Sequence, residues 1–138
     1  MSYDKPNRIK YSWGSFNFGA TVDETFSIKG PKGKAGRLYD YGVEATTEVF
    51  NGGTITPKIS VGTTSDPDAY GDEIVLHGLA DNDATGVRIL YTPQDAGFTA
   101  LMLDRELPRD TEIYCTCIAA TGAPTGKGTP FVIIDWMD

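Results

Sequence analysis

No stretch of this chain keeps apolar residues at helical spacing for three turns. β-Branched and aromatic residues gather instead in runs of roughly four to ten residues, each closed by Gly, Pro, Asn or Asp. The runs are GRLYDYGVEATTEVF (36–50), ITPKISVG (55–62), DEIVLHGL (72–79), GVRILYT (86–92), GFTALMLD (97–104), TEIYCTCIAAT (111–121) and TPFVIIDWM (129–137). Between them lie NGG, SDPDAYG, DNDATG, TPQDAG, ELPRD and TGAPTGKG. About seven or eight short strands with such punctuation predict an all-β chain, built as an antiparallel β-sandwich or barrel. The alternation is cleanest over 39–49, where Tyr39, Tyr41, Val43, Ala45, Thr47 and Val49 share one phase, and over 111–119. FVIIDW is a continuous apolar run, as expected of a central strand buried on both faces. TALMLDREL has room for a helical turn or two between Gly97 and Pro108.

The chain has 138 residues, enough for one domain with a core. Its 40% hydrophobic and 22% charged residues suit a folded globular protein. Residues 1–19 mix basic, aromatic and small residues, with Gly14 and Gly19 interrupting any strand pattern. They are expected to form an extended N-terminal arm, and residues 20–138 the sandwich domain. No apolar run approaches the ~20 residues of a membrane span, and MSYDKPNRIKYSWG lacks the apolar core of a signal peptide. The expectation is a chain made in the cytoplasm with no membrane partner.

Net charge is −7, unevenly spread. Seven of the twelve Lys and Arg residues lie in positions 1–37, beside only three acids. The acidic remainder repels phosphates and argues against nucleic-acid binding. The basic third suits docking on an acidic partner, with a solvated charged surface as the plainer reading.

Gly30–Gly36 reads GPKGKAG, with Arg37 next. A phosphate-binding P-loop needs GxxxxGK and then Ser or Thr, between a strand and a helix. Here Ala35 stands where the second glycine belongs, and a strand-like run follows. The remaining readings are a solvated turn or a docking loop in which Lys32, Lys34 and Arg37 meet carboxylates. In the arm, Arg8, Lys10, Tyr11 and Trp13 are the residue types favoured at interface hot spots. These seven residues are the candidate partner-binding set.

Other constellations are weaker. Asp66 and Asp68 in SDPDAYGDE, and Asp81 and Asp83 in DNDATG, offer oxygen ligands for calcium. Position 12 counted from Asp81 is Thr92, where an EF-hand needs a glutamate, and Asp is an ordinary turn former. No metal or other cofactor is expected. Cys115 and Cys117 would share one face of a strand, poorly placed for a disulfide and expected to be reduced and buried. His77, the single histidine, has no sequence neighbour that nominates it as a catalytic base, and none of the 19 acids forms a recognisable catalytic pair. The chain is not expected to be an enzyme.

The phrases VGTTSDPDAYGDE, LPRDTEIYCTCIAATGAPTGKGTPFVIIDW and KGPKGKAGRLYDYGVEATTEVF resemble small head-associated proteins of tailed bacteriophages. The resemblance spans roughly residues 20–137 and rests on loop phrases, not on a catalytic signature. It is a likeness to capsid decoration, or cement, proteins. It implies a β-sandwich of jelly-roll type, a homotrimer, and a place on the outer surface of a virion, bound to the major capsid protein. It supplies no catalytic residues. The alternative is a carbohydrate-binding β-sandwich module of the host-attachment or fibre kind, with exposed aromatics and acidic loops as its tools. A hydrolase with dispersed carboxylates is the third reading.

Overall fold

A computed structural model describes residues 7–19, 22–51, 57–76, 89–90, 106–119 and 125–137. All regular elements among them are β-strands: β1 (Asn7–Ser12), β2 (Phe16–Asn17), β3 (Glu24–Ile28), β4 (Ala35–Asn51), β5 (Lys58–Gly62), β6 (Gly71–Val75), β7 (Ile89–Leu90), β8 (Glu106–Leu107), β9 (Ile113–Ile118) and β10 (Thr125–Met137). The larger sheet has the order β1-β10-β4-β7, with β2 also on β10 and β8 also on β4. The smaller sheet has the order β3-β9-β5-β6. Every pairing is antiparallel. The two sheets close on one apolar core, the all-β sandwich the sequence predicts. Among the described residues no helix is long and apolar enough to cross a membrane. The expected strand at 97–104 lies outside the described residues; of TALMLDREL (99–107) only Glu106–Leu107 lies within them, as strand β8, and of 86–92 only Ile89–Leu90.

β10 is the central strand of the larger sheet. β1 pairs along it from Asn7↔Trp136 to Ser12↔Phe131, and β4 from Thr125↔Asn51 to Met137↔Ala35. Val132, Ile134 and Trp136 point into the core, and Phe131 on the opposite face is fully buried too. The continuous apolar run is therefore buried on both faces at Phe131 and Val132. Pro130 falls between the registers of β1, which ends at Phe131, and β2, which begins at Gly128. A residue without an N–H is tolerated at such an interruption.

Residues 7–19 belong to the body of the sandwich. β1 and β2 are strands of the larger sheet, Phe18 is fully buried, and Phe18 N donates to Gly126 O at 2.9 Å. Ile9, Tyr11, Trp13 and Phe16 pack against the core. The aromatics of this segment are internal anchors, because burying them removes large apolar areas from water.

β4 departs from the single-phase alternation. Between Ile133 and Ile134 the partner residues on β4 are Asp40 and Leu38, so Tyr39 is an extra residue. This bulge turns Tyr39 outward, 42% exposed, while Leu38 and Tyr41 on either side are fully buried. A second irregularity lies between the pairs Thr129↔Glu44 and Lys127↔Glu48, where Ala45 has φ 51°. After it, Thr46 and Phe50 face inward and Thr47 is exposed. Tyr39, Ala45 and Thr47 are thus on the outside, although plain alternation groups them with Tyr41 and Val43.

β9 keeps strict alternation, with Ile113, Cys115 and Cys117 buried and the residues between them half-buried. Both cysteines are free thiols. A hydrogen bond with Cys115 and then burial push the Cys117 thiol well above the ordinary thiol range. A raised pKa means less thiolate at any given pH, and the thiolate is the nucleophile. Cys115 and Cys117 are both fully buried, so native protein should leave both thiols unmodified by iodoacetamide at neutral and mildly alkaline pH, whereas denatured protein takes up two equivalents. Rapid native alkylation, read by mass spectrometry, would show that β9 does not hold this register.

Candidate functional site

The loop GPKGKAG leaves the end of β3 and enters β4. Lys34 N donates to Pro31 O at 3.2 Å, closing a turn, and Gly33 has φ 77°. The turn is tied to the β8–β9 connection from both sides. Gly33 N donates to Asp110 Oδ1 at 2.7 Å, and the Arg109 guanidinium donates to Gly33 O. Together these segments wall a cleft of about 350 Å³. Lys29, Lys32 and Lys34 line one side, Asp110, Thr111 and Glu112 the other, and Trp136 contributes from β10.

Gly30 and Gly36 of this loop make room for Trp136, and Gly33 supplies a left-handed backbone. A Cβ on Gly30 would lie 2.2 Å from the Trp136 ring, well inside van der Waals contact. Trp136 itself is only 3% exposed, and its Nε1 donates to Tyr11 Oη at 2.9 Å. Burial pushes the Tyr11 phenol above its usual range, against the opposite effect of the Trp136 hydrogen bond. Tyr11 is therefore a neutral partner that fixes the indole.

The acids of the cleft are engaged within the chain. Asp110 accepts from Gly33 N, and Glu112 accepts from Tyr114 Oη at 2.9 Å. Lys29 and Lys32 are exposed and form no ion pair among the described residues. The cleft is lined by three lysines against two carboxylates, so its charge balance is positive.

A second basic surface lies on the outer face of the larger sheet. Arg8 on β1 and Arg37 on β4 are the register partners of Asp135 on β10. Asp135, 9% exposed, accepts from Arg8 Nε at 2.7 Å and from Arg8 Nη2 at 3.0 Å, a two-pronged ion pair. This hydrogen bonding raises the pKa of Arg8 further above its already high value. The Arg8 guanidinium also sits over the Tyr39 ring, 3.5 Å from its centroid. Arg37 is exposed and has no ion-pair partner among the described residues. The result is an exposed Arg8–Tyr39–Arg37 patch organised around one carboxylate.

The seven candidate residues therefore separate. Arg8 and Arg37 come together around Asp135, and Lys32 and Lys34 come together at the cleft. Lys10 pairs with Glu44 and lies 5.3 Å from the centroid of the Phe131 ring. Tyr11 holds Trp136, and Trp13 stacks on Phe26 with centroids 4.9 Å apart. These two aromatics, partly buried, pack against the core. Sequence reasoning missed Lys29 and Tyr39. Lys29 belongs to the same basic phrase, whereas Tyr39 is exposed only through the bulge in β4.

Among the described residues no group of three or more His, Cys, Asp and Glu side chains could hold a metal ion. Asp66 and Asp68 stand in an exposed turn joining β5 and β6. There Asp66 N donates to Thr63 Oγ1 at 3.0 Å, while Asp66 O accepts from Thr63 N at 2.9 Å and from Ala69 N at 3.1 Å. Asp81, Asp83 and His77 lie outside the described residues.

Compared with protein-family models, with curated proteins and with solved structures, the chain has no significant match.

The two loop glycines should fail for different reasons. Gly30→Ala overpacks against the indole and should cost about 1–3 kcal/mol, whereas Gly33→Ala meets no atom within 4 Å and should cost about 1–2 kcal/mol through its left-handed backbone alone. In a Trp136→Leu background the Gly30→Ala penalty should shrink and the Gly33→Ala penalty should not. Equal penalties for Gly30→Ala in the two backgrounds, measured by denaturant unfolding, would refute the packing role.

Proposed function

We propose that this chain is a non-enzymatic structural protein of a bacteriophage virion, bound to the outside of the capsid and clamping neighbouring major capsid subunits. The observation that carries the reading is the exposed Arg8–Tyr39–Arg37 patch on the larger sheet. Arginine and tyrosine are enriched where binding energy concentrates, and the Asp135 carboxylate holds Arg8 in place before any partner arrives. The resemblance in loop phrases supports the same reading and adds a jelly-roll arrangement and a homotrimer to it. A protein that binds assembled subunits and not free ones stabilises the shell by mass action, without chemistry.

The carbohydrate-binding alternative draws less support. Trp13, the arm tryptophan it would use as a stacking platform, has one ring face occupied by Phe26.

The patch can be tested without disturbing the core, because Arg37 and Tyr39 are both exposed. Arg37→Glu combined with Tyr39→Ala should weaken co-sedimentation with undecorated capsid shells by about thirtyfold or more, the effect of losing a hot spot of ~2 kcal/mol. Thr47→Ala, also exposed on β4, should bind as the parent does. Unchanged shell binding by the double variant would sink this docking surface. Failure of the parent protein to bind any shell would sink the capsid reading itself.

A further inference from the structure

We propose that copies of this chain associate head to tail through opposite edges of the smaller sheet, the lysine loop after β3 on one copy meeting the aspartate turn before β6 on the next. The order β3-β9-β5-β6 makes β3 and β6 the two edges of that sheet among the described residues. The pairs Ile28↔Ile113, Gly62↔Tyr114 and Val61↔Gly71 bring the end of β3, the start of β9, the end of β5 and the start of β6 to one end of the sandwich. The loop after β3 and the turn before β6 therefore emerge at the same end, on opposite sides.

Their charges are opposite. Residues 29–37 carry Lys29, Lys32, Lys34 and Arg37 with no acid. Residues 63–73 carry Asp66, Asp68, Asp72 and Glu73 with no base. Lys29 and Lys32 are exposed without ion pairs among the described residues, and the acids beside them are engaged by Gly33 N and Tyr114 Oη. On the other side, backbone bonds between Thr63, Asp66 and Ala69 fix the turn and hold Asp66 in an exposed position. Both partners are preorganised, which lowers the entropy lost on contact.

Strand direction fits as well. β3 runs toward this end and β6 runs away from it, so the four strands alternate in direction across the sheet. A second copy in the same orientation sets its β3 antiparallel beside β6 of the first. An unpaired edge is a ready template for such an addition. Glu24, the acid of β3, falls level with Ile74 across the sheet, one residue from Glu73, whose carboxylate lies 3.9 Å from Lys58 Nζ. A contact between different surfaces of identical chains is heterologous and closes into a ring when the rotation permits.

This inference gives an interface to the self-association in the proposed function and rests on that part of it; its test uses purified protein alone, so that an oligomer indifferent to the charge reversals sinks the interface and leaves the homotrimer standing. Multi-angle light scattering at micromolar concentration should find an oligomer for the parent chain. Lys29→Glu/Lys32→Glu and Asp66→Lys/Asp68→Lys should each weaken association by at least about tenfold in Kd. The chain carrying all four changes should associate again, because the charges are exchanged rather than lost. Circular dichroism and thermal unfolding check that each variant folds, and Lys29→Gln/Lys32→Gln supplies a milder loop variant expected to weaken association in the same direction. A monomeric parent, an oligomer indifferent to the reversals, or a fourfold variant that stays monomeric would each overturn the proposal.

Discussion

β10 uses its backbone hydrogen-bonding groups on both sides, with β1 and β2 along one edge and β4 along the other. It therefore joins the beginning of the chain to its end and holds the longest strand in register. Its side chains are also largely buried, Phe131, Val132, Ile134 and Trp136 among them. Asp135 is the charged exception. A carboxylate 9% exposed needs a partner, and the two-pronged bond from Arg8 supplies one. The ion pair belongs to the fold before it belongs to any interface, and the guanidinium it fixes is the one that covers Tyr39.

The same strand shapes the basic loop. Trp136 lies at the end of β10, and its ring occupies the space a side chain at Gly30 would need. Tyr11 on β1 fixes the indole through its hydroxyl, so the neighbouring strand helps to position the loop. The sequence phrase GPKGKAG combines two separate requirements. Its glycines answer to packing and backbone conformation, and its lysines answer to solvent and whatever carboxylates approach from it. A phosphate-cradling loop would instead need the glycines for close ligand approach and a helix behind them.

What the amino-acid order reveals divides along physical lines. The strand character of β9 and the buried nature of β10 are visible because period two and continuous apolarity are local properties. The phase of β4 is not local. Its bulge at Tyr39 is set by pairing with β10, and a single extra residue transfers an aromatic from core to surface. Tyr11 and Trp13 pose the converse problem. Their aromatic, glycine-broken setting suggests an exposed arm, but the partners that bury them, Trp136 and Phe26, lie on other strands. The charge segregation between the first third and the rest is visible in composition. That the basic loop and the acidic turn emerge at one end of one sheet follows only from the strand order.

Two exposed basic surfaces on an acidic chain pose an electrostatic question. With a net charge of −7, identical molecules repel at long range, and so does any acidic partner. At physiological ionic strength the Debye length is about 8 Å, so that repulsion is screened over the dimensions of a domain while contacts at a few ångströms are screened far less. Local complementarity then decides which surfaces meet. Lys29 and Lys32 satisfy this condition because the cleft they line holds three lysines against two carboxylates. Arg37 does so because Asp135, its register neighbour, is held by Arg8. In both places the local cations outnumber the carboxylates beside them. That is how a chain with more acids than bases can present positive docking surfaces.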